Sequence, residues 1–204
     1  MAGEPQPNPF STRFTRPGDV AWQPLPETPA ALLDRLDRLG GRAAICGPHG
    51  GGKSTLLSHL AVAAADRGWQ PRLLLLRSAA DVIRGVATAV ATSPGGFIGI
   101  DGGELAGGLS RTMIRLAARQ DSRMVVTMHR RPRSGGWPVL LEIAPDAEVF
   151  RRVVRSLLAG TDLPAGVAAR FGPDLLAEVF DRHRGNFREA LFELYDRFEL
   201  AARK

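Results

Sequence analysis

The chain has 204 residues, enough for one sizeable hydrophobic core and a small appended domain, and its single cysteine excludes an internal disulfide framework. The net charge is +6, but 27 basic residues are mixed with 21 acidic ones along the sequence, so nucleic acid is a disfavoured partner. No apolar run approaches the ~20 residues that span a bilayer, and the start MAGEPQPNPF lacks the pattern of a signal sequence. We therefore expect a cytoplasmic protein with no membrane partner.

The first thirty residues are rich in proline and polar groups, and the segments NPFSTRFTRPG and WQPLPETP interrupt any helical or strand period. We interpret residues 1–30 as an N-terminal arm. A regular pattern begins at residue 31, where a helix is predicted over residues 31–39, ending before two glycines.

Short apolar runs alternate with helical periods up to residue 145. Strands are predicted at residues 43–46, 72–77, 97–101, 124–128 and 139–143, and the helices between them at residues 55–67, 79–92 and 104–120. The run RLLLLR, at 72–77, is continuous and apolar, as in the buried strands of a parallel sheet. This alternation predicts an α/β fold with a parallel sheet, right-handed crossovers and ligands at the carboxyl ends of the strands.

From residue 146 the pattern changes to helices alone, with proline and glycine at their joints. These helices are predicted at residues 146–159, 164–169, 173–183 and 186–202. The sequence therefore predicts a nucleotide-binding core over residues 31–145 and a small helical lid over residues 146–204.

Residues 47–54 read GPHGGGKS, a complete match to the phosphate-binding pattern G-x-x-x-x-G-K-[ST], between a predicted strand and a predicted helix. In that setting glycines let backbone N–H groups point inward as an anion nest at the helix N-terminus. The alternative is a glycine-rich turn that contains GKS by chance. The predicted phosphate-binding residues are Gly47, Pro48, His49, Gly50, Gly51, Gly52, Lys53, Ser54 and Thr55.

Lys53 is one of only two lysines among the 27 basic residues, the other being Lys204. A compact ammonium reaches the β- and γ-phosphates from within a tight loop, where a broad guanidinium does not fit. The Ser54 hydroxyl is predicted to ligate Mg²⁺. No N-K-x-D sequence is present to read guanine, so ATP is favoured over GTP.

The predicted strand FIGID ends in Asp101, an aspartate suited to hold Mg²⁺ through a water, as in the Walker B motif. Many hydrolytic P-loop enzymes place a glutamate directly after this aspartate to polarise the attacking water. This chain instead has Gly102 and Gly103 before Glu104. Glu104 is interpreted either as a catalytic residue that reaches the water or as part of a helix-start capping box with Asp101.

The fourth predicted strand ends in VVTMHR, which places Thr127 and His129 where a polar side chain can sense the γ-phosphate. For His129 the preferred interpretation is a surface residue. The loop that follows contains Arg130, Arg131 and Arg133, which we interpret as solvated side chains in preference to an arginine finger.

Near the C-terminus, HRGNFREAL places Asn186 as a helix N-cap, with Glu189 three residues later completing a capping box. Arg188 then lies in the first turn of the last helix. With the Walker A and Walker B elements, this segment resembles the AAA+ ATPases, whose lid carries a "sensor 2" arginine in a G-x-x-R segment. The resemblance covers about residues 31–198.

The resemblance implies a five-stranded P-loop NTPase sheet of order 5-1-4-3-2. It also implies that Thr127 takes the sensor 1 position and Arg188 the sensor 2 position, which makes both candidate catalytic residues. The N-terminal NPFSTRF is similar to segments that close over adenine in some of these ATPases, with Asn8, Pro9 and Phe10 the candidates.

The sequence therefore predicts an ATPase with ATP and Mg²⁺ as cofactors, whose nucleotide state moves the lid so that a protein partner reads the change. One alternative is a small-molecule or nucleotide kinase, in which the loop at residues 130–133 closes over phosphates. The other is a non-hydrolysing nucleotide-binding adaptor, which Gly102 favours.

Overall fold

The computed structural model describes residues 8–15, 27–91, 94–105, 112, 121–132, 136–161, 163 and 166–202. The chain divides into two compact units. The sheet unit comprises Pro24–Pro48 and Lys53–Ile143, and the helical unit comprises His49–Gly52 and Ala144–Lys204 with the described part of Met1–Gln23. The domain boundaries predicted from the sequence, after residues 30 and 145, stay predictions.

The sheet unit is built on five parallel strands in the order β2-β3-β4-β1-β5, which confirms the predicted order 5-1-4-3-2 counted from the other edge. The strands are β1 Arg42–Cys46, β2 Pro71–Leu75, β3 Phe97–Asp101, β4 Arg123–Met128 and β5 Val139–Glu142. Cys46 pairs with Met128, and Leu75 pairs with Asp101, so the carboxyl ends of these strands share one edge. That edge is where the sequence predicts the ligand.

Three helices of the sheet unit follow predicted segments closely: α1 Pro29–Arg38, α2 Lys53–Asp66 and α3 Ala79–Ala91. Helix α1 starts where Pro29 sets the first turn and the Thr28 hydroxyl accepts a hydrogen bond from the N–H of Ala31 at 3.2 Å. It packs on α2, and α2 in turn packs on β2, β3 and β4. Most of the helix predicted over residues 104–120 lies outside the described residues.

Strand β2 differs from its prediction as a buried strand. It is an edge strand whose one partner in the described sheet is β3. Leu73 and Leu75 are 49% and 50% exposed, whereas Leu76, just after the strand, is buried. A continuous apolar run is compatible with either position, because apolar content alone does not tell a central strand from an edge strand. The central strands β1, β3 and β4 supply the buried core.

The helical unit contains α4 Ala147–Ala159, a 3₁₀ turn at Ala168–Phe171, α5 Pro173–Arg182 and α6 Phe187–Ala202. Part of the helix predicted over residues 164–169 lies outside the described residues. The side chain of Asp146 caps α4 by accepting from the N–H groups of Glu148 and Val149 at 2.7 and 3.0 Å. No helix in the described part of the chain is long and apolar enough to cross a membrane.

Residues 8–15 of the predicted N-terminal arm belong to the helical unit and pack within it. Phe10 is 1% exposed, and its ring centroid lies 5.1 Å from that of Phe171 and 6.4 Å from that of Phe198. The Asn8 amide donates to the backbone oxygen of Tyr195 at 3.0 Å and to Oε1 of Glu199 at 2.9 Å. Asn8 and Phe10 therefore complete a buried cluster with helix α6, and the Phe10 ring is a core element and not an exposed stacking surface.

Candidate functional site

The predicted phosphate-binding loop joins β1 to α2 at the carboxyl edge of the sheet. Lys53, the first residue of α2, is only 7% exposed. Its Nζ donates to the backbone oxygens of Gly47 at 2.8 Å and Pro48 at 2.6 Å. A buried ammonium needs such acceptors, and these carbonyls place its charge inside the turn of the loop. Pro48 and His49 are exposed, whereas Gly51 is buried.

Asp101, at the end of β3, joins Ser54 and Thr127 in one hydrogen-bonded group. The Ser54 hydroxyl donates to Oδ2 of Asp101 at 2.7 Å, and the Thr127 hydroxyl donates to Oδ1 at 2.5 Å. Ser54 comes from the first turn of α2 and Thr127 from the adjacent strand β4. The structure thus brings together both predicted metal ligands and the predicted γ-phosphate sensor. A carboxylate beside two hydroxyl groups is a set of hard oxygen donors that fits Mg²⁺.

Gly102 occupies the position where many hydrolytic P-loop enzymes carry a glutamate. Its φ is +89°, and a Cβ added to it would lie 2.6 Å from the backbone oxygen of Leu76. Gly103 is also confined, because an added Cβ would lie 3.0 Å from the backbone oxygen of Thr127. In this conformation a side chain at position 102 meets the backbone of Leu76, directly after β2, so glutamate does not fit there.

Glu104 is exposed, and its Oε1 accepts a hydrogen bond from the backbone N–H of His129. The carboxylate therefore ties the turn after β3 to the end of β4. In a capping box the Asp101 carboxylate would accept a hydrogen bond from the backbone N–H of Glu104. In the structure this carboxylate is bonded to Ser54 and Thr127. A role of Glu104 toward an attacking water stays a prediction.

The arginine loop after β4 is only partly described. Arg131 forms an ion pair of 3.0 Å with Glu142 of β5, and both side chains are largely exposed. Arg130 is exposed, and Arg133 lies outside the described residues. The Arg131 pair agrees with its interpretation as a solvated surface side chain.

Cys46 ends β1 directly before the loop and is buried. Burial is the main influence that raises the pKa of its thiol, and the negative charge of Glu142 raises this pKa further. The raised pKa favours the protonated form of this thiol at neutral pH, and the thiolate, not the thiol, is the reactive form of cysteine.

Arg188 lies in the helical unit, on the first turn of α6, and its side chain is exposed. Its backbone N–H donates to Oδ1 of Asn186 at 3.1 Å, and that of Glu189 donates to the same oxygen at 3.4 Å. These bonds confirm Asn186 as the N-cap of α6. The assignment of Arg188 as sensor 2 stays a prediction.

The sequence does not predict one close contact within the helical unit, between Gly50 and Asn186. Gly50, from the middle of the phosphate-binding loop, lies directly against the side chain of Asn186. The only signal for it in the sequence is composition, since Asn8 and Asn186 are the two asparagines of the chain.

Comparison with known proteins finds similar solved structures but no matching family model or curated protein. Among solved structures, one match is the replication initiator DnaA bound to AMPPCP and single-stranded DNA, 16% identical with a TM-score of 0.56. A second is AMPPCP-bound DnaA from Aquifex aeolicus, also 16% identical, with a TM-score of 0.51.

The first alignment covers 91% of this chain and 64% of that DnaA chain, and the second covers 78% and 57%. This chain therefore spans less than two thirds of the length of either DnaA structure. At this identity the likeness shows the fold alone, which is the parallel α/β sheet with a P-loop that this chain shares with these DnaA structures.

Proposed function

We propose that the chain binds ATP with Mg²⁺ and passes its nucleotide state to a partner through movement of the helical unit. The observation that carries the proposal is the group formed by Ser54, Asp101 and Thr127 next to the complete phosphate-binding loop. The likeness to two AMPPCP-bound structures supports the nucleotide class.

In this proposal each residue has a separate task. The amides of the loop and the ammonium of Lys53 bind the phosphates, for which Lys53 exchanges the carbonyls of Gly47 and Pro48 for phosphate oxygens. Ser54 and Asp101 would hold Mg²⁺, and the bound ion would neutralise part of the phosphate charge. Thr127 orients the Asp101 carboxylate and senses the terminal phosphate.

Titration calorimetry with ATP, with and without Mg²⁺, tests the binding site. Lys53→Ala removes a charge-assisted contact of about 1.5 to 3 kcal/mol, so ATP affinity is expected to fall roughly tenfold or more. Lys204→Ala, at the only other lysine, is the matched control and is expected to bind like the parent. Equal ATP affinity in the parent and Lys53→Ala contradicts the proposed site.

The metal ligand has its own test. Asp101→Asn is expected to weaken ATP binding in the presence of Mg²⁺ and to have little effect without Mg²⁺, because an amide is a poorer ligand than a carboxylate. A loss of affinity that is the same with and without Mg²⁺ contradicts the role of Asp101 as a metal ligand.

The response of the helical unit is tested at Arg188. If its guanidinium pairs with the γ-phosphate, Arg188→Ala binds ADP like the parent but loses the preference for ATP. Protection of the chain near Gly160 from limited proteolysis then stops responding to ATP. Arg184→Ala, a nearby exposed arginine, is the control. Parent-like ATP preference and protection in Arg188→Ala contradict the sensor assignment.

A second candidate function, a non-hydrolysing nucleotide-binding adaptor, is favoured by the conformation of Gly102. Incubation with labelled ATP, alone and with candidate acceptors, separates the alternatives. Free phosphate indicates an ATPase, a labelled acceptor indicates a kinase, and unchanged bound ATP indicates the adaptor. If free phosphate forms, Glu104→Gln is expected to slow its release and leave ATP affinity intact, whereas an equal rate removes Glu104 from catalysis.

The proposed partner is a protein, and single-stranded nucleic acid is the second candidate. One structural neighbour is a DnaA bound to single-stranded DNA. Between residues 49 and 143 of this chain, 12 basic residues outnumber 6 acidic ones, so the net positive charge is concentrated there. Titration of a labelled oligonucleotide at several salt concentrations tests this candidate. Binding that weakens steeply with salt supports it, and no binding at low salt removes it.

A further inference from the structure

The middle of the phosphate-binding loop touches the cap of the last helix. Gly50 has a φ of +70°, and a Cβ added to it would lie 1.9 Å from Oδ1 and 2.8 Å from Cγ of Asn186. The same Cβ would lie 3.3 Å from the backbone nitrogen of Arg188. Both sides of this contact belong to the helical unit. The backbone of Gly50 therefore lies so close to the Asn186 side chain that a methyl group does not fit between them.

Asn186 is held firmly in this position. Its Oδ1 accepts the N–H groups of Arg188 and Glu189, and its backbone N–H donates to the oxygen of His183 at 2.9 Å. The preceding Gly185 is buried, and a Cβ added to it would lie 2.3 Å from Cβ of Pro145. The side chain of Asn186 cannot move away from Gly50 without breaking the cap of the 16-residue helix α6.

The choice of asparagine at this cap is itself informative. Aspartate caps helices as well as asparagine does, and the helix dipole favours its negative charge. The chain has 12 aspartates and two asparagines, and it uses Asp146 to cap α4. Among the described helix caps formed by asparagine or aspartate, the one that contacts the phosphate-binding loop is therefore a neutral amide, Asn186.

We propose that Asn186 is a positioning residue for the phosphate-binding loop, holding it at Gly50 while keeping negative charge away from the bound phosphates. This inference rests on the proposed function, because it assigns a role toward ATP bound at the loop. The residue acts through the backbone of Gly50. A change in the loop on nucleotide binding is thereby transmitted to the first turn of α6.

The electrostatic half of the proposal is tested with Asn186→Asp. A carboxylate near the loop repels the phosphates, so the affinity for ATP and for ADP is expected to fall roughly three- to tenfold. The thermal midpoint is expected to stay the same or rise, because aspartate remains a good cap. The matched control is the reverse change, Asp146→Asn, at the cap of α4. This variant is expected to bind ATP and ADP with the affinity of the parent.

The steric half is tested without nucleotide, by comparing Gly50→Ala with Gly68→Ala. Gly68 has a similar φ of +77° but nothing within 4 Å of an added Cβ, so it reports the cost of the backbone conformation alone. Gly50→Ala is expected to lower the thermal midpoint by about 2 to 4 °C more than Gly68→Ala. Adding Asn186→Gly to Gly50→Ala is expected to remove most of this extra loss, because it removes the clashing side chain.

The outcomes separate this inference from the proposed function. If the parent binds ATP and Asn186→Asp binds it equally well, the positioning role is overturned and the proposed function stands. If the parent does not bind ATP, the positioning role and the proposed function are both contradicted. Equal losses in Gly50→Ala and Gly68→Ala overturn the contact itself, whatever the nucleotide affinities.

Discussion

The Thr127 hydroxyl donates to Oδ1 of Asp101 at 2.5 Å and accepts from the N–H of Gly102 at 3.0 Å. Thr127 is only 2% exposed, so this hydroxyl provides hydrogen-bond partners for two neighbouring groups in a buried position. It fixes the carboxylate with Oδ1 toward β4 and Oδ2 toward the Ser54 hydroxyl. One threonine therefore sets the orientation of the predicted metal ligand.

Thr127→Val is expected to destabilise the chain by about 1 to 3 kcal/mol, because it leaves the Gly102 N–H and one oxygen of Asp101 without this partner. Binding of ATP in the presence of Mg²⁺ is expected to weaken as the Asp101 carboxylate loses its fixed orientation. Thermal unfolding and calorimetric titration measure the two effects. Thr127→Ser, which keeps the hydroxyl, is the control, and equal effects of the two substitutions contradict the prediction.

Gly102→Glu is expected to destabilise the chain without creating or raising ATP hydrolysis. The added Cβ meets the backbone oxygen of Leu76, and the positive φ adds a cost of about 1 to 2 kcal/mol. Gly95→Ala is the control for the φ cost alone, because Gly95 has a φ of +76° and nothing within 4 Å. A stable Gly102→Glu variant with faster phosphate release would show that the turn adapts.

The parallel sheet and the loop could be predicted because they follow from local patterns: alternating apolar runs for the sheet and GPHGGGKS for the loop. The order of the strands was predicted only through the resemblance to the AAA+ ATPases. The hydrogen-bond partners of individual side chains could not be predicted from such patterns. Glu104 bonds to the backbone of His129, which directly follows the neighbouring strand β4, and no spacing in the sequence encodes that pairing. The exposure of Leu73 also depends on which strands flank β2, a property of the whole sheet.

Phe10→Ala is expected to lower the stability of the helical unit by about 3 to 5 kcal/mol, because it leaves a cavity beside Phe171 and Phe198. Phe14→Ala, on the same arm, is the control with a smaller expected loss, since that ring is half-buried. Denaturant unfolding measures both. Equal losses for the two variants contradict the role of Phe10 as a core residue.

The arm shows a further limit of sequence patterns. The segment NPFSTRF has no regular period, and its similarity to adenine-closing segments predicts a contact with a ligand. Asn8 bonds to Tyr195 and Glu199, and a role of this segment toward adenine stays a prediction. A contact between such distant parts of the chain depends on how the helices pack, which local pattern does not contain.

Glu193 carries the clearest pH dependence of the helical unit. Burial is the largest influence on its pKa and raises it, but hydrogen bonds from Arg197 and His183 and the charges of Arg182 and Arg197 outweigh burial and lower the pKa below 4.5. A lowered pKa in the folded chain means that the charged form is stabilised by folding. This contribution is fully present above about pH 4.5 and is lost as the pH falls through the folded pKa.

Glu193→Gln is therefore expected to lower stability at pH 7 by about 1 to 2 kcal/mol and to differ less from the parent as the pH falls below 4.5. Asp196→Asn, an exposed position on the same helix, is the control. Thermal unfolding from pH 7 to pH 3 measures the difference. A difference that does not change with pH contradicts the proposed charge contribution.

The bonds from Asn8 to Tyr195 and Glu199 join residues 187 and 191 positions apart. At the ordinary rate of protein synthesis of about 5 to 20 residues per second, roughly 10 to 40 s separate the emergence of these two segments from the ribosome. All five strands of the sheet are made in that interval. Phe10 is therefore synthesised long before its ring partner Phe198, and the contact between Phe10 and α6 forms only after every strand of the sheet has been made.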